Sequence, residues 1–559
     1  MKRFFQNSFL VLCTLALAMT AACSSNGASN ANNRNDNGAS PGASNSSDSG
    51  NASEESDGPF GKYDPPITMR ATMIETDFLN EGDTVEDNVW TRGYSEELGV
   101  QVKYDWVVDG ANAGEKMNIT LASGDLPDLL GVNQSQFKQL LEAGQLEDLS
   151  EVYEKYASPQ LKEFYSSGAD GLLPARSDDK LYGLTYYSGS YDTSPMLWIR
   201  TDWMNNLGLK PPATMDEAIG MIKAFAEEDP DRNGKDDTYG IQLNKDLFGG
   251  GDFNPVGFAN GYHAYPGHWF KDDSGKASYG SILPEMKTVL GKLQEMYKAG
   301  YIDPEFGTKD VAKAGETVMS DKVGLFFGYM TSPFSVSGMI KDGSTADWLP
   351  YPIPSADDKP ALVQNNMSFG SIYAVRKGYE HPEALIKLMN FAVEKMFGES
   401  AAAESANYLG SSGQGFQAAP VRLLKPNKNV FIYQNVVAAL EANDPSALNT
   451  EEKSYFDGIT KYRGGDKSQW WFERIFGPDS SQKVIQQYID NDAITMNEWV
   501  YPPTDTMVSK GGTLGKLELE TFVKIIYGQA PVDAFDKFVE DWKKLGGEKM
   551  MEEVNQVLQ

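Results

Sequence analysis

Basic residues, cysteine and histidine are all scarce in this 559-residue chain. Lys and Arg number 49 against 79 Asp and Glu, a formal net charge of −30. So little positive charge does not suit nucleic acid, whose phosphates call for a basic footprint. It suits electrostatic docking on anionic lipid no better. Two cysteines, Cys13 and Cys23, and three histidines, His263, His268 and His381, leave no material for a disulfide framework, a CxxC redox pair or a Cys/His zinc cluster. The apolar run from Phe9 to Met19, broken only by Thr14, is too short for a membrane span of ~20 residues. What is present is enough for a packed body: 40% hydrophobic and 11% aromatic residues. By length alone the chain has room for roughly three to five domains, or two large ones.

The short apolar run has the make-up of a secretory signal. Lys2 and Arg3 precede it and small residues follow it, Thr20-Ala21-Ala22-Cys23. The segment resembles a bacterial lipoprotein signal, with Thr20 where that pattern prefers Leu. The resemblance implies that residues 1–22 are removed and that Cys23 carries the lipid (palmitate) anchor on the extracytoplasmic face of the cell membrane. Cys13 would leave with the signal. The mature chain would then hold 47 basic and 79 acidic residues, −32. Residues 23–58 follow as a tether of Ser, Asn, Gly and Ala without apolar periodicity. Roughly 35 such residues place the body about 30–35 Å from the anchor on average.

In the body, Ile67–Ile74 and Val100–Val107 alternate as strands do. Residues 116–121 lead into a turn at 123–128 and then the apolar run Leu129–Val132. Thr214 and Glu217 form a capping box ahead of a helix whose Ile219, Ile222 and Phe225 share a face. Pro531 is expected to open a helix carrying Val532, Phe535, Val539 and Trp542, stopped by Gly546-Gly547. Strands mixed with helices of this length predict α/β layers with partly parallel sheets.

Several segments, in this order, resemble the extracellular solute-binding proteins of ABC importers, specifically the large lipoprotein-type sugar-binding group. They are EKMNITLASGDLPDLL (115–130), LWIRTDWMNNLGLKPPATMDEAIGMIKAF (197–225), DPDRNGKDDTYGI (229–241), YKAGYIDPEF (297–306), HPEALIKLMNF (381–391) and FDKFVEDWKKLGG (535–547). The resemblance implies a two-lobed α/β fold of the type II periplasmic-binding-protein kind, with a hinge and a ligand cleft between the lobes. Residues 59–190 and 356–420 would form lobe 1, and residues 191–355 and 421–559 lobe 2. Crossings are expected near 189–195, 350–366 and 410–426. It implies a monomer that captures an oligosaccharide and delivers it to the transmembrane subunits of an ABC permease, without nucleic acid and touching the membrane only through its anchor. The alternative is a lipid-anchored polysaccharide hydrolase or lyase.

Asp229, Asp231, Asn233, the Lys235 carbonyl and Asp237 repeat oxygen donors at alternate positions around Gly234, the spacing of an EF-hand loop through its ninth position. Position twelve is Gly240 instead of Glu, and position ten is Thr238. Relatives of the resembled group use a similar loop as a structural Ca²⁺ site, so Ca²⁺ is the one cofactor expected. A sugar site wants flat aromatics and hydrogen-bonding side chains. Ten Trp and 27 Tyr supply them. Trp198, Trp269, Tyr329, Trp470, Trp471 and Tyr187 are the aromatic candidates, with Tyr186 beside Tyr187, and Asn133 and Gln134 are the polar ones. The adjacent Trp470-Trp471 pair cannot both face the core of a regular strand, so one is expected in the cleft. Arg200 and Asp202 read as an internal ion pair. Catalytic signatures are missing from the body: it has no HExxH, GxSxG, Walker A or GxGxxG after a strand. His263 and His268 are expected to face solvent, and His381 to start a helix. Glu473, beside Trp471 and Phe472, is the single acid with an apolar flank. The acidic balance favours a neutral ligand, while Lys425-Pro426-Asn427-Lys428 offers a place for a uronate.

Overall fold

The computed structural model describes residues 57–558, apart from 167–169, 188–190, 273, 367–368 and 411–412. The signal, Cys23 and nearly all of the tether lie outside the described residues.

Two apolar cores organise the body. The first gathers residues from Tyr63 to Tyr187 and from Ile372 to Leu423. Strands Ile67–Ile74 and Val100–Val108 pair in parallel, as a crossover through the intervening helix Val89–Glu97 requires. Met69, Ala71 and Met73 point inward at the period of two that the sequence carries. Beside them, Phe369–Val375 runs antiparallel to both Leu129–Val132 and Leu184–Tyr187. Helix Glu383–Phe397, which starts just after His381-Pro382 as expected, is buried almost all round. Its polar residues are therefore satisfied inside. The Asn390 side chain donates to Pro59 and Tyr156 carbonyls, and Lys387 Nζ donates to the Gly61 carbonyl. These bonds tie the entry of the chain to the first core.

The second core runs from Met196 to Val363 and from Val430 to Val554. Its sheet has the order Trp348–Tyr351, Met196–Arg200, Val323–Gly328, Tyr239–Ile241. Met196–Arg200 is antiparallel to both neighbours, and Tyr239–Ile241 is parallel to Val323–Gly328. Every residue of the two central strands is buried, because helices cover both faces. Arg200 is held there by Asp202 and Asp321, each at 2.6 Å, and lies over the Trp203 ring. The expected ion pair is thus present, with a second carboxylate from 121 residues away in sequence.

Some local expectations change. Thr214 caps the helix Met215–Glu227 by accepting from the Glu217 amide, but the Glu217 carboxylate reaches the Ala213 amide, one residue before the cap. The C-terminal helix Ala534–Trp542 gives way before Gly546-Gly547, as expected, but a further helix follows directly. The chain kinks at Gly546, φ +135°, and resumes as Glu548–Leu558. Gly547 is required because a side chain there would overlap the Trp542 ring. Trp470 and Trp471 open a helix, Trp470–Phe476, and not a strand.

The chain passes between the cores in the stretches 187–196, 365–372 and 423–430. Val363 packs in the second core, so the stretch just after residue 356 sides with that core and not the first. The passages bond to one another: Leu424 donates its amide to the Tyr187 carbonyl, Asn429 its amide group to Asp192, and Asn365 its amide group to Ser194.

Candidate functional site

A cavity of about 630 Å³ opens where the two lobes face each other. One wall belongs to the first lobe. Asn133, Gln134 and Ser135 stand at the start of helix Gln134–Glu142, and Phe369 and Gly370 begin the central strand. Asn133 is placed by a capping box: its Oδ1 accepts from the Gln136 amide at 2.9 Å, and Gln136 Oε1 accepts from its own amide at 3.1 Å. That fixes the exposed side chain at the cavity rim and leaves its Nδ2 without a partner among the described residues.

The facing wall belongs to the second lobe and comprises Gly267, Trp269, Asn497, Trp499 and Val500. Asn497 organises it. Its Oδ1 accepts from the amides of Trp269 and Trp499, both at 3.1 Å, and its Nδ2 donates to Asn366 at 2.8 Å. Trp269 is 5% exposed and leans on Tyr279, whereas Trp499 is half-buried beside Tyr501. Across the gap, Gln134 Nε2 donates weakly to the Val500 and Tyr501 carbonyls, at 3.4 and 3.3 Å. Lys138, one turn further along the same helix, bonds the Pro503 carbonyl at 2.8 Å and Asp505 at 2.7 Å. Among the described residues, the lining contains amides, a hydroxyl and aromatic rings but no charged side chain. Such a surface matches a ligand with apolar faces and a rim of hydroxyls.

Three of the expected site residues therefore meet here: Asn133, Gln134 and Trp269. The others do not. Trp198 is 0% exposed in the central strand, stacked on Phe326. Tyr187 is buried edge-on to Phe164 in the first core. Trp470 is buried with its indole N–H on Asp347, which Arg474 also clasps. Trp471 is half-buried, stacked on Phe472 and tilted against Phe334, away from the cavity lining. Tyr329 packs in the second lobe, where its OH accepts from Asn254 and burial pushes its pKa up to about 12. Trp499, Asn497, Asn366 and Phe369 are not singled out by the sequence. Trp499 does have a visible signal: it sits in NEWVYPP, an aromatic ring between turn-forming residues.

The acid and the histidines singled out in the sequence lie outside this lining. Glu473, the acid with the apolar flank, is paired with Arg463 at 2.9 and 3.0 Å. His263 meets Asp357 at 3.0 Å. His268 is not solvent-facing but fully buried, and burial lowers its pKa to about 4.

The Asp229–Asp237 loop is drawn together around Asn233. The Asn233 amide donates to Asp229 at 3.0 Å and Asp231 at 3.2 Å, and its Nδ2 donates to Asp231 at 2.7 Å and Asp237 at 3.1 Å. Gly234 makes the turn at φ +76°. Burial first, and then the neighbouring Asp229 and Asp237 charges, push the Asp231 carboxyl above its usual range. Lys235 donates its amide to Asn233 Oδ1. Among the described residues no three His, Cys, Asp or Glu are already gathered as a metal-binding group. The all-oxygen donor set nevertheless fits a hard cation in chemistry, and the crowded carboxylates would lose their repulsion to one.

The sequence model of the bacterial extracellular solute-binding proteins matches residues 78–396. The chain is 27% identical over 483 residues to lipoprotein LipO of Bacillus subtilis, covering 82% of this chain and 87% of LipO. It is 25% identical over 456 residues to the polygalacturonan/rhamnogalacturonan-binding protein YtcQ of the same organism, covering 80% and 83%. The fructooligosaccharide ABC transporter substrate-binding protein FusA of Streptococcus pneumoniae is 25% identical over 290 residues, 49% of this chain and 51% of FusA. The solved structure of FusA with kestose superposes with a TM-score of 0.58 over 88% of this chain and 99% of FusA, at 16% identity. That of a FusA EF-hand mutant with fructo-nystose gives 0.57 over 88% and 99%, at 15% identity. The fold is thus that of the two-lobed solute-binding proteins.

Proposed function

The chain belongs to the bacterial extracellular solute-binding protein family, and from that premise we propose that it is a receptor that captures an oligosaccharide between its lobes and passes it to the transmembrane subunits of an ABC permease. One observation carries the reading: an uncharged cavity of amides and indoles whose two walls come from different lobes. A ligand that touches Asn133 and Gln134 on one side and Trp269 and Trp499 on the other gains both sets of contacts only when the lobes approach. Binding then selects the closed form, and the closed form is what a permease reads. The relatives point the same way, since FusA is named for fructooligosaccharides and YtcQ for polygalacturonan and rhamnogalacturonan. Held as a monomer by lipid on Cys23 and a leash of residues 23–58, the body would work at the outer face of the membrane. Among the described residues no helix is long and apolar enough to cross a membrane.

Calorimetry against a panel of oligosaccharides, each also assayed for cleavage, tests the receptor. Binding without turnover is expected, and measurable hydrolysis would overturn the reading. Trp269→Ala and Trp499→Ala should each weaken binding about tenfold, the loss of one stacked ring and its buried area.

Asp229, Asp231, Asn233 and Asp237 would hold a structural Ca²⁺, with the Lys235 carbonyl completing the set. The ion would neutralise the loop and fix the end of helix Met215–Glu227. One of the FusA structures is of an EF-hand mutant, so a loop of that kind is named in this relative. EDTA should lower the melting temperature, and added Ca²⁺ should restore it. At a hundredfold excess over Kd the linkage amounts to about 2.7 kcal/mol. An unchanged melting temperature in metal-free protein would rule the ion out as a structural element.

A further inference from the structure

A second chamber of about 400 Å³ adjoins the first. Asn133 and Gly370 line both, so the two form one trough. The second chamber is aromatic where the first is amide-rich, with Trp106, Tyr186 and Tyr373 in its walls. Gly370 gives Tyr186 its place, because a Cβ on that residue would meet the ring at 2.5 Å. Among the described residues a single charged side chain lines the trough, and it is Arg422.

Arg422 is unlike most arginines of this protein. Arg70, Arg92, Arg200, Arg376, Arg463 and Arg474 each grip a carboxylate at 3.0 Å or less. Half-buried Arg422 has no carboxylate within 4.0 Å among the described residues. Its Nη2 meets only the Ile74 carbonyl, at 3.3 Å, and the Met73 sulfur, at 3.9 Å. The backbone is pinned, since the Arg422 amide donates to the Tyr373 hydroxyl at 3.0 Å. A guanidinium offers five donors in a planar fork shaped for a carboxylate. Here most of the fork is unused, beside rings on which a sugar can stack.

We propose that this second chamber is a subsite for an acidic sugar unit, with Arg422 clasping its carboxylate while the first chamber takes neutral units through hydroxyl contacts. The proposal rests on the receptor reading above and narrows its substrate class to oligosaccharides bearing a uronate. It also answers the electrostatics. A chain of net charge −30 repels anions at long range, so recognition of an acid has to be local, within a screening length of about 8 Å.

Calorimetry with trigalacturonate, trimannuronate, their methyl esters and neutral trisaccharides of xylose, galactose and fructose tests it. At least one acid should bind about tenfold tighter than its own ester, and the preference should shrink in about 0.5 M salt. Arg422→Gln should erase the preference by weakening the acid far more than the ester, leave the melting temperature unchanged, and be partly rescued by Arg422→Lys. Equal binding of acid and ester, an undiminished preference in Arg422→Gln, or binding of neutral trisaccharides alone would each overturn the subsite while the receptor reading stands. Failure of every acidic and neutral sugar to bind would overturn the receptor reading itself, and this inference with it. If Arg422→Gln does not fold, the acid-against-ester comparison on the unaltered protein decides.

Discussion

In the second lobe, Glu518 and His268 are two groups whose charged forms are disfavoured by burial. Glu518 accepts from Ser281 at 2.8 Å and from Tyr279 at 3.4 Å, yet burial raises its pKa to about 7. Between pH 4.5 and 7 the folded state holds a proton that the unfolded state has released. This contribution to stability is therefore complete below 4.5, falls as pH rises through that window, and levels off above 7. Glu518→Gln should flatten that fall and raise stability at pH 8 by on the order of 1–3 kcal/mol, read from urea unfolding at several pH values. His268 acts in the opposite sense. With its pKa lowered to about 4, the unfolded state binds the extra proton between 6.5 and 4, so stability drops as pH falls through that range. His268→Gln should blunt the acid-side loss in the same titration. At this scale the sequence was partly legible. The Arg200–Asp202 pair could be read because strand-end spacing brings the two side chains together. Trp198 could have been set aside, since MLWIR is an unbroken apolar run ending in a paired arginine and so reads as a fully buried strand. Arg422 gave no local sign, because what marks it is the absence of a partner in space.

At the scale of elements, periodicity and capping were reliable guides and termini were not. The strands Ile67–Ile74 and Val100–Val108 and the helix after Thr214 stand where alternation and capping chemistry place them. Thr214→Ala should cost about 1 kcal/mol by removing one acceptor for the first-turn amides, measured by denaturant unfolding. The Gly546-Gly547 pair looked like an ordinary stop signal. Glycine after a helix marks a left-handed or tight passage, however, and is silent on whether a further helix lies beyond. Here a positive φ redirects the chain, and the final helix packs Met550 and Val554 back into the second core. Gly546→Ala should therefore destabilise by about 1–3 kcal/mol, more than an exposed terminal stop would. Trp470 and Trp471 would need one ring in the cleft only if they lay on a strand. On a helix, neighbours diverge by 100°, so one ring is buried and the other packs on the surface against Phe334.

For the whole molecule, the cleft is made by elements far apart in sequence, and so only its general chemistry could be foreseen. Asn133 and Trp499 share a cavity although hundreds of residues separate them. The lobes are also bridged directly, by Lys138 to Asp505 at 2.7 Å. Lys138 is largely covered and Asp505 largely exposed, which limits the bridge to about 0.2–1 kcal/mol. Lys138→Ala should thus weaken ligand affinity by no more than about fivefold, with an unchanged melting temperature of the free protein. A loss of stability without loss of affinity would show that the contact belongs to folding and not to closure. The three passages between cores carry one more consequence, which concerns how the protein is made. The first core needs Ile372 to Leu423, and the second needs residues up to Val554. Neither can close on an early fragment of the chain. A growing polypeptide of this design has no finished lobe until most of it has been synthesised, which delays the long-range contacts that would lock it. For a protein destined for the outside of the cell, an N-terminal half that cannot fold ahead of its remainder stays threadable while it is being exported.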